Sequence, residues 1–590
     1  MRLRKFEIHN FKGIESASFE WDDIVVLIGE NNTGKSTILQ ALQCFLGGAQ
    51  IKDRSLLFNT ASDPTHPIEL VGYFDQFSDL EKGALAVRGR MDDDSWIIKK
   101  CFWCESQERE QESTWKEQYY SFSSEETFSE WPENDNAWGN FPEEYQDLIQ
   151  QLPNRSARPT NAAREALRDL ARQDKPNLVG RTEAAWVQNP GGGGNWKSNA
   201  NSILPRCILV KAVHDATDEA VSKEGSSYGK IVSLIVEKKL MQREEIQALK
   251  RSIDGVLKLF SPDPDHPDLQ AVEVRDVQRR INERLNEVIT GFVTIRTSAP
   301  EVEPMILPST ALTLRDRLDG VETSVGYQGH GLQRTLIMTL LQILAEIQSE
   351  PTTPAEAEPA SESPARSVIL AIEEPELYMH PQMERKMRDT LYRLASQPGL
   401  QVVCTTHSPV FLDMARRHKS IVRVVKDSNR KVTLYQVSQD IFAEPAAESE
   451  RERLNLIARF HPTVNEVFFS KRVVLLEERT ALFAFERAAE LTGLFDRHPH
   501  LRRDITLVDC NGKSNIPAFQ RVLNHFAIPY TVVHDEDAGN ATEQPRNAAI
   551  EVLLATALGQ NKKHMISPTN IEAMLDCAGA GKDKPYRAIT

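Results

Sequence analysis

The stretch "IVVLIGENNTGKST", Ile24 to Thr37, decides the fold of this chain. Five apolar residues read as a buried strand, and Gly29 to Ser36 then match G-x-x-x-x-G-K-[ST] at every fixed position. In that pattern the glycines let main-chain amides close around phosphate oxygens, and the following helix, "STILQALQCFLGG", turns its positive end toward them. Gly29, Asn32 and Gly34 shape the loop, Lys35 reaches the terminal phosphates, and Ser36, beside Thr37, can ligate magnesium. The stretch therefore predicts a nucleotide ligand, ATP, inside an α/β domain. We also expect Lys35 to have no buried structural partner, its ammonium being directed at ligand.

A P-loop of this kind needs an acidic strand end. "SVILAIEEPELYMHP" supplies it, with Glu373 placed to hold the metal shell and Glu374 to polarise water. "VVCTTHSPVF" puts His407 after another apolar strand, where it can sense a γ-phosphate. Together with "HNFKGI" near the N-terminus and "YQGHGLQRTLIMTLL" in the place of a signature motif, these residues resemble the ATP-binding-cassette ATPases of chromosome maintenance and repair. That resemblance implies a homodimer or higher homo-oligomer in which Gly329, Gly331 and Gln333 act on nucleotide bound to the partner's P-loop.

The bulk numbers set the frame. A chain of 590 residues exceeds one hydrophobic core. No apolar run reaches the roughly 20 residues that span a bilayer. The N-terminus alternates like a strand and lacks the apolar core of a signal peptide, so a cytoplasmic protein without membrane contact is expected. Seven scattered cysteines make no disulfide framework, and the single "CFWC" offers two of the four ligands a zinc site needs. A net charge of −15 excludes indiscriminate binding to nucleic acid, so any DNA contact must be focused.

Along the chain, residues 1–215 read as the first part of the ATPase, with an insertion at about 105–200 whose Glu, Gln, Ser and Asn content predicts loops and a few helices. Helical patterns at 216–290 suggest a hairpin or dimerisation arm, and 291–445 complete the ATPase around a Pro-, Ala- and Glu-rich loop at 349–367 that is expected to be disordered. A second α/β domain occupies 465–590. There "KRVVLLEE", "DITLVDCNG" and "YTVVHDED" are strands separated by helical stretches, a βαβαβ series with Glu477, Asp535 and Asp537 at strand ends. In a parallel sheet such ends converge on one crevice. Oxygen ligands favour magnesium or manganese. Strand alternation would turn Asp535 and Asp537 to one face and Glu536 away.

This second series resembles the Toprim domain. The order of ATPase then Toprim resembles the OLD (overcoming lysogenization defect) family, including Gabija- and retron-associated antiphage nucleases. The resemblance implies divalent-metal-dependent cleavage of DNA. It further implies Glu572 as a metal ligand and Lys584 as a stabiliser of the scissile phosphate, within "SPTNIEAMLDCAGAGKDKPYRAIT". "CNGKSN" also fits the family. Where the family has Glu-Gly-x-Thr-Glu, however, this chain has Glu477-Glu478-Arg479-Thr480-Ala481. Under this resemblance two functions remain open: an ATP-regulated endonuclease of antiphage defence, working with a reverse transcriptase and its RNA–DNA hybrid or with a helicase, and a non-cleaving ATPase that senses nucleic acid through a degenerate Toprim domain.

Overall fold

The computed structural model describes residues 1–47, 67–104 (except 85, 89, 92 and 93), 115–152 (except 124, 125, 133, 134 and 136), 158–188, 196–212, 271–286, 313–315, 321–324, 328–349, 366–556 (except 445, 446, 538 and 539) and 564–567, with residues 231, 244, 248 and 252 singly. The Pro-rich loop at 350–365, most of the helical arm, Glu572 and Lys584 lie outside them. The chain divides into two compact units, one of Met1–Leu209, Ala355–Glu374 and Pro398–Thr590, the other of Val210–Pro354 and Pro375–Gln397.

In the first unit the P-loop strand Ile24–Ile28 is buried at all five positions, as its apolar run requires. It lies between Leu400–Thr405 and Ile421–Lys426, parallel to both. Val368–Glu373 adds to Leu400–Thr405 in parallel, and Val432–Gln436 closes the far edge antiparallel. A second, antiparallel sheet joins Ile14–Glu20, Arg2–Phe11, Ile68–Asp75, Trp96–Cys104, Trp115–Ser123 and Ala185–Gln188 in that order. Its first two strands alternate buried and exposed residues, the mark of a sheet with one face inside.

Phe6, Phe45, Phe74, Trp96 and Trp196 fill the core that includes both sheets and the helix Lys35–Phe45. Each such aromatic contributes about 1.5–3 kcal/mol through burial. Cys101, from the Cys-x-x-Cys pair, is a thiol inside this sheet. Burial and neighbouring Glu69 push its pKa up to about 12, which suits a structural rather than a metal-binding sulfur.

The composition of residues 105–200 suggested little apolar burial, and the structure corrects this. Trp115–Ser123 extends the antiparallel sheet. Beyond it, the helices Glu143–Gln150 and Asn161–Asp174 enclose a core of their own, in which Trp138, Phe141, Tyr145, Leu148 and Leu167 pack together. Five or six large side chains outweigh a polar average when they fall on facing helix stripes.

A four-stranded parallel sheet in the order Ile505–Asp509, Arg472–Leu476, Tyr530–Asp535, His564–Ser567 forms the C-terminal region among the described residues. Arg423, next to the P-loop strand, ties the two regions together: its Nη1 donates to the carbonyls of Phe526 and Ala527 at 3.0 and 3.4 Å. In the second unit the helix His330–Ser349 packs with Pro381–Ala395. Among the described residues no helix is long and apolar enough to cross a membrane.

Candidate functional sites

The P-loop is bent by left-handed residues: Gly29 has φ +151°, Asn32 +63° and Gly34 +108°. Gly29 is required sterically, because a Cβ there would sit 2.3 Å from the Val424 carbonyl oxygen. Contrary to expectation, Lys35 is buried and has structural partners. Its Nζ donates to the carbonyls of Gly29 at 2.9 Å and Glu30 at 2.8 Å, so it braces the loop. Ser36 is exposed and Thr37 half-buried at the start of the helix.

Parallel register brings the acidic strand end toward this loop. Glu373 pairs with Thr405, and Thr405 with Leu27, two residues before Gly29. Glu374 follows with φ +43°, its amide donating to the Thr405 carbonyl at 2.9 Å. Its Oε1 lies 3.8 Å from His407 Nε2. Burial, reinforced by the charge of Lys35 and opposed by Glu374, holds the His407 pKa below its ordinary value, so the ring is a neutral partner at pH 7. The structure places Glu373, Glu374 and His407 at strand ends beside the P-loop.

Gly29, Glu30, Asn31 and His407 also line a cleft of about 350 Å³ whose other residues are Phe469, Lys471, Arg503 and Asp504. Asp504 holds Lys471 Nζ and Arg503 Nε, both at 3.1 Å. Nothing in the sequence marks these four residues, since they meet the P-loop only through tertiary packing.

In the second unit, the glycine-rich stretch opens the helix His330–Ser349, with the Gly329 carbonyl accepting from the amides of Leu332 and Gln333. Gly331 is exposed, whereas Gln333 is buried and donates its side-chain amide to the Gln328 carbonyl at 2.8 Å. The amide closes the turn ahead of its own helix.

At the carboxyl edge of the parallel sheet, Glu477 follows the strand Arg472–Leu476 and Asp535 ends Tyr530–Asp535. The Glu477 carboxylate accepts from the Asp535 amide at 3.0 Å. Asp537 is brought in by other means than strand alternation. The strand stops at Asp535, and Asp537 lies beyond it with φ +49°, so a turn rather than the pleat places its carboxylate. Glu536 is half-buried, and its carbonyl accepts from Asn547.

Between these acids stands Lys513, from "CNGKSN", which the sequence left unassigned. Its Nζ is 2.7 Å from Asp537 Oδ2, 2.7 Å from the Asp535 carbonyl, 4.0 Å from Glu477 Oε2 and 3.9 Å from Glu543 Oε2. Burial raises the Glu477 pKa, helped by the charges of Asp535 and Asp537 and opposed by the Asp535 amide and Lys513. The oxygen-only donors suit magnesium or manganese in kind. Even so, among the described residues no three His, Cys, Asp or Glu side chains are gathered closely enough to hold a metal ion. The oxygen donors therefore fit such an ion in kind only, with Lys513 Nζ standing among them. Ala481, in the place of the second motif glutamate, is 2% exposed and packs with Leu476 and Val533.

Fold and sites define a P-loop ATPase joined to a Toprim domain. A model described as AAA ATPase domain matches residues 1–412, and one described as overcoming lysogenization defect protein-like, TOPRIM domain, matches 468–537. The chain belongs to the OLD family of ATPase–Toprim proteins, as an ATPase and nuclease. It is similar to the Old nuclease of Escherichia phage P2, with 25% identity over 543 residues, 91% of this chain and 77% of that protein. It is also similar to the OLD nuclease of Thermus scotoductus, with 32% identity over 238 residues, 37% of this chain and 42% of that protein. Among solved structures it shows a loose likeness to the SMC head domain from Thermotoga maritima, with 11% identity, TM-score 0.28, and 74% of this chain and 100% of that one covered. The Smc head domain with an extended coiled coil from Pyrococcus furiosus is similar at 14% identity and TM-score 0.32, with 74% and 96% covered.

Proposed function

We propose that the chain is a divalent-metal-dependent DNA endonuclease whose P-loop domain binds and hydrolyses ATP to control cleavage, and that it serves antiphage defence. The observation that carries this reading is the convergence of Glu477, Asp535 and Asp537 on one sheet edge, in a chain that also contains a P-loop ATPase domain. Glu477 and the two aspartates would hold magnesium or manganese, which supplies a more acidic bound water and neutralises charge on the leaving oxygen. Glu572 and Lys584 complete the proposed set. On the nucleotide side Gly29, Asn32, Gly34, Lys35, Ser36 and Thr37 would cradle ATP, Ser36 and Glu373 would hold its magnesium, Glu374 would orient water, and His407 would contact the γ-phosphate. Gly329 and Gly331 would present the signature stretch to a second copy. The defence role, with a reverse transcriptase and RNA–DNA hybrid or a helicase as partner, rests on the OLD membership and is tested by the genes adjacent to this one.

The biochemical test is nicking of supercoiled plasmid DNA with Mg²⁺ or Mn²⁺. Cleavage should disappear in Asp537→Ala and persist in Lys35→Ala, while ATP turnover shows the reverse pattern. Buried Ala481 favours the second reading, an ATPase that senses nucleic acid without cutting it. Failure of the wild type to nick with either metal would establish that reading and remove the first.

A further inference from the structure

Lys513 is held at the acidic edge by hydrogen bonds of the turn around it. It opens a turn that Gly512 anchors to the neighbouring strand, its amide donating to the Glu477 carbonyl at 2.7 Å. From the other side Asn515 clamps the turn through the carbonyls of Cys510 and Asn511, at 2.9 and 2.8 Å. The lysine side chain is 1% exposed, with an ammonium facing Asp537, Glu477 and Glu543.

Carboxylates at such spacing repel one another, and a positive charge placed among them offsets that repulsion. One carboxylate that the family motif would add is absent, because Ala481 lies in the apolar cluster with Leu476 and Val533. So the edge has lost an anionic ligand and contains a fixed ammonium. We propose that Lys513 is the resident cation of the cleavage site, its ammonium taking the neutralising role of one divalent ion, so that the edge binds a single exchangeable metal ion. The proposal rests on reading this edge as the cleavage site. Lys513 is then a positioning residue: it fixes the Asp537 carboxylate and sets how much negative charge is left for metal. An ammonium is a compact point charge with three donors, which suits a pocket of separate acceptors better than a planar guanidinium would.

The test is calorimetric titration of the full chain with Mn²⁺ alone, the edge-bound ions being those lost in Asp535→Ala. Wild type should bind one such ion. Lys513→Met, which frees the carboxylates, should bind Mn²⁺ at least about tenfold more tightly or take up a second ion, while Lys513→Arg keeps the charge and should stay at one. A merely structural lysine would leave number and affinity unchanged or weaken them, and that result overturns the proposal, as does a wild type that binds two. If no Mn²⁺ depends on Asp535 in any variant, the metal-dependent reading of the edge fails, and the proposal with it. Should Lys513→Met fold poorly, thermal unfolding decides: Mn²⁺ must raise its melting temperature more than it raises that of wild type, and an equal or smaller gain is a refutation.

Discussion

Gly29→Ala tests the geometry of the nucleotide site through a single carbon atom. The added Cβ would lie 2.3 Å from the Val424 carbonyl oxygen, where ordinary contact begins at 3.4 Å, so the loop or the strand must give by about 1 Å. The strand is the stiffer of the two. Val424 is paired with Leu434 on one side, and residues 421–423 are in register with the P-loop strand on the other. The loop therefore moves, and it also bears a non-glycine residue at φ +151°, at a cost of about 1–3 kcal/mol. Displacing a phosphate-binding loop by about 1 Å costs on the order of 100-fold in function. Against a stability of about 5–15 kcal/mol the chain stays folded. We expect ATP-analogue affinity, measured by fluorescence titration, to fall about 100-fold while the melting temperature drops only a few degrees. Affinity within about threefold of wild type, or about 0.7 kcal/mol, would refute the steric argument.

Two further outcomes are expected. The depressed His407 pKa means that the unfolded chain takes up this proton first as pH falls through 6.5, so stability declines there; His407→Asn should show a shallower fall in melting temperature between about pH 7 and about pH 5, and an unaltered slope removes His407 as the cause. Lys100 is buried among Tyr119, Phe45 and Asn201, and burial pulls its pKa from 10.5 down to about 7. That difference amounts to a penalty on the order of 5 kcal/mol, full below about pH 7 and vanishing as pH rises past 10.5. After subtracting the lost ring and amide contacts, Lys100→Met should stabilise by about 1–4 kcal/mol near neutrality and by less near pH 10. A less stable variant at neutral pH would show those contacts to dominate.

What the sequence disclosed follows from how local each signal is. A P-loop is continuous, and its glycines answer to backbone angles that the structure shows at Gly29 and Gly34. The acids Glu373 and Glu477 were readable because an apolar strand followed by a carboxylate is a local pattern too. For Asp537 the reading assumed another step of the pleat, whereas a turn beyond the strand sets its position. Lys513 stood in a quoted motif but carried no role, since a lysine after a strand looks solvated until three carboxylates from elsewhere close around it. Phe469, Lys471, Arg503 and Asp504 left no trace at all, for their nearness to the P-loop exists only in three dimensions. The core at 128–178 was hidden by averaging, its aromatic residues being diluted among glutamates and asparagines.

The strands Arg472–Leu476 and Ile505–Asp509 begin beside the P-loop cleft, just after Lys471 and Asp504, and end at the acidic edge, just before Glu477 and the Lys513 turn. At about 3.3 Å per residue they hold the two places roughly 16 Å apart. No side chain therefore belongs to both places. What joins them is a pair of rods locked rung by rung, from Arg472 with Ile505 to Leu476 with Asp509. Main chain paired in this form changes little in length, so a displacement at the cleft would reach the carboxylates as a tilt or slide of the pair. Any antagonism or synergy between the two chemistries in this molecule is therefore a matter of leverage.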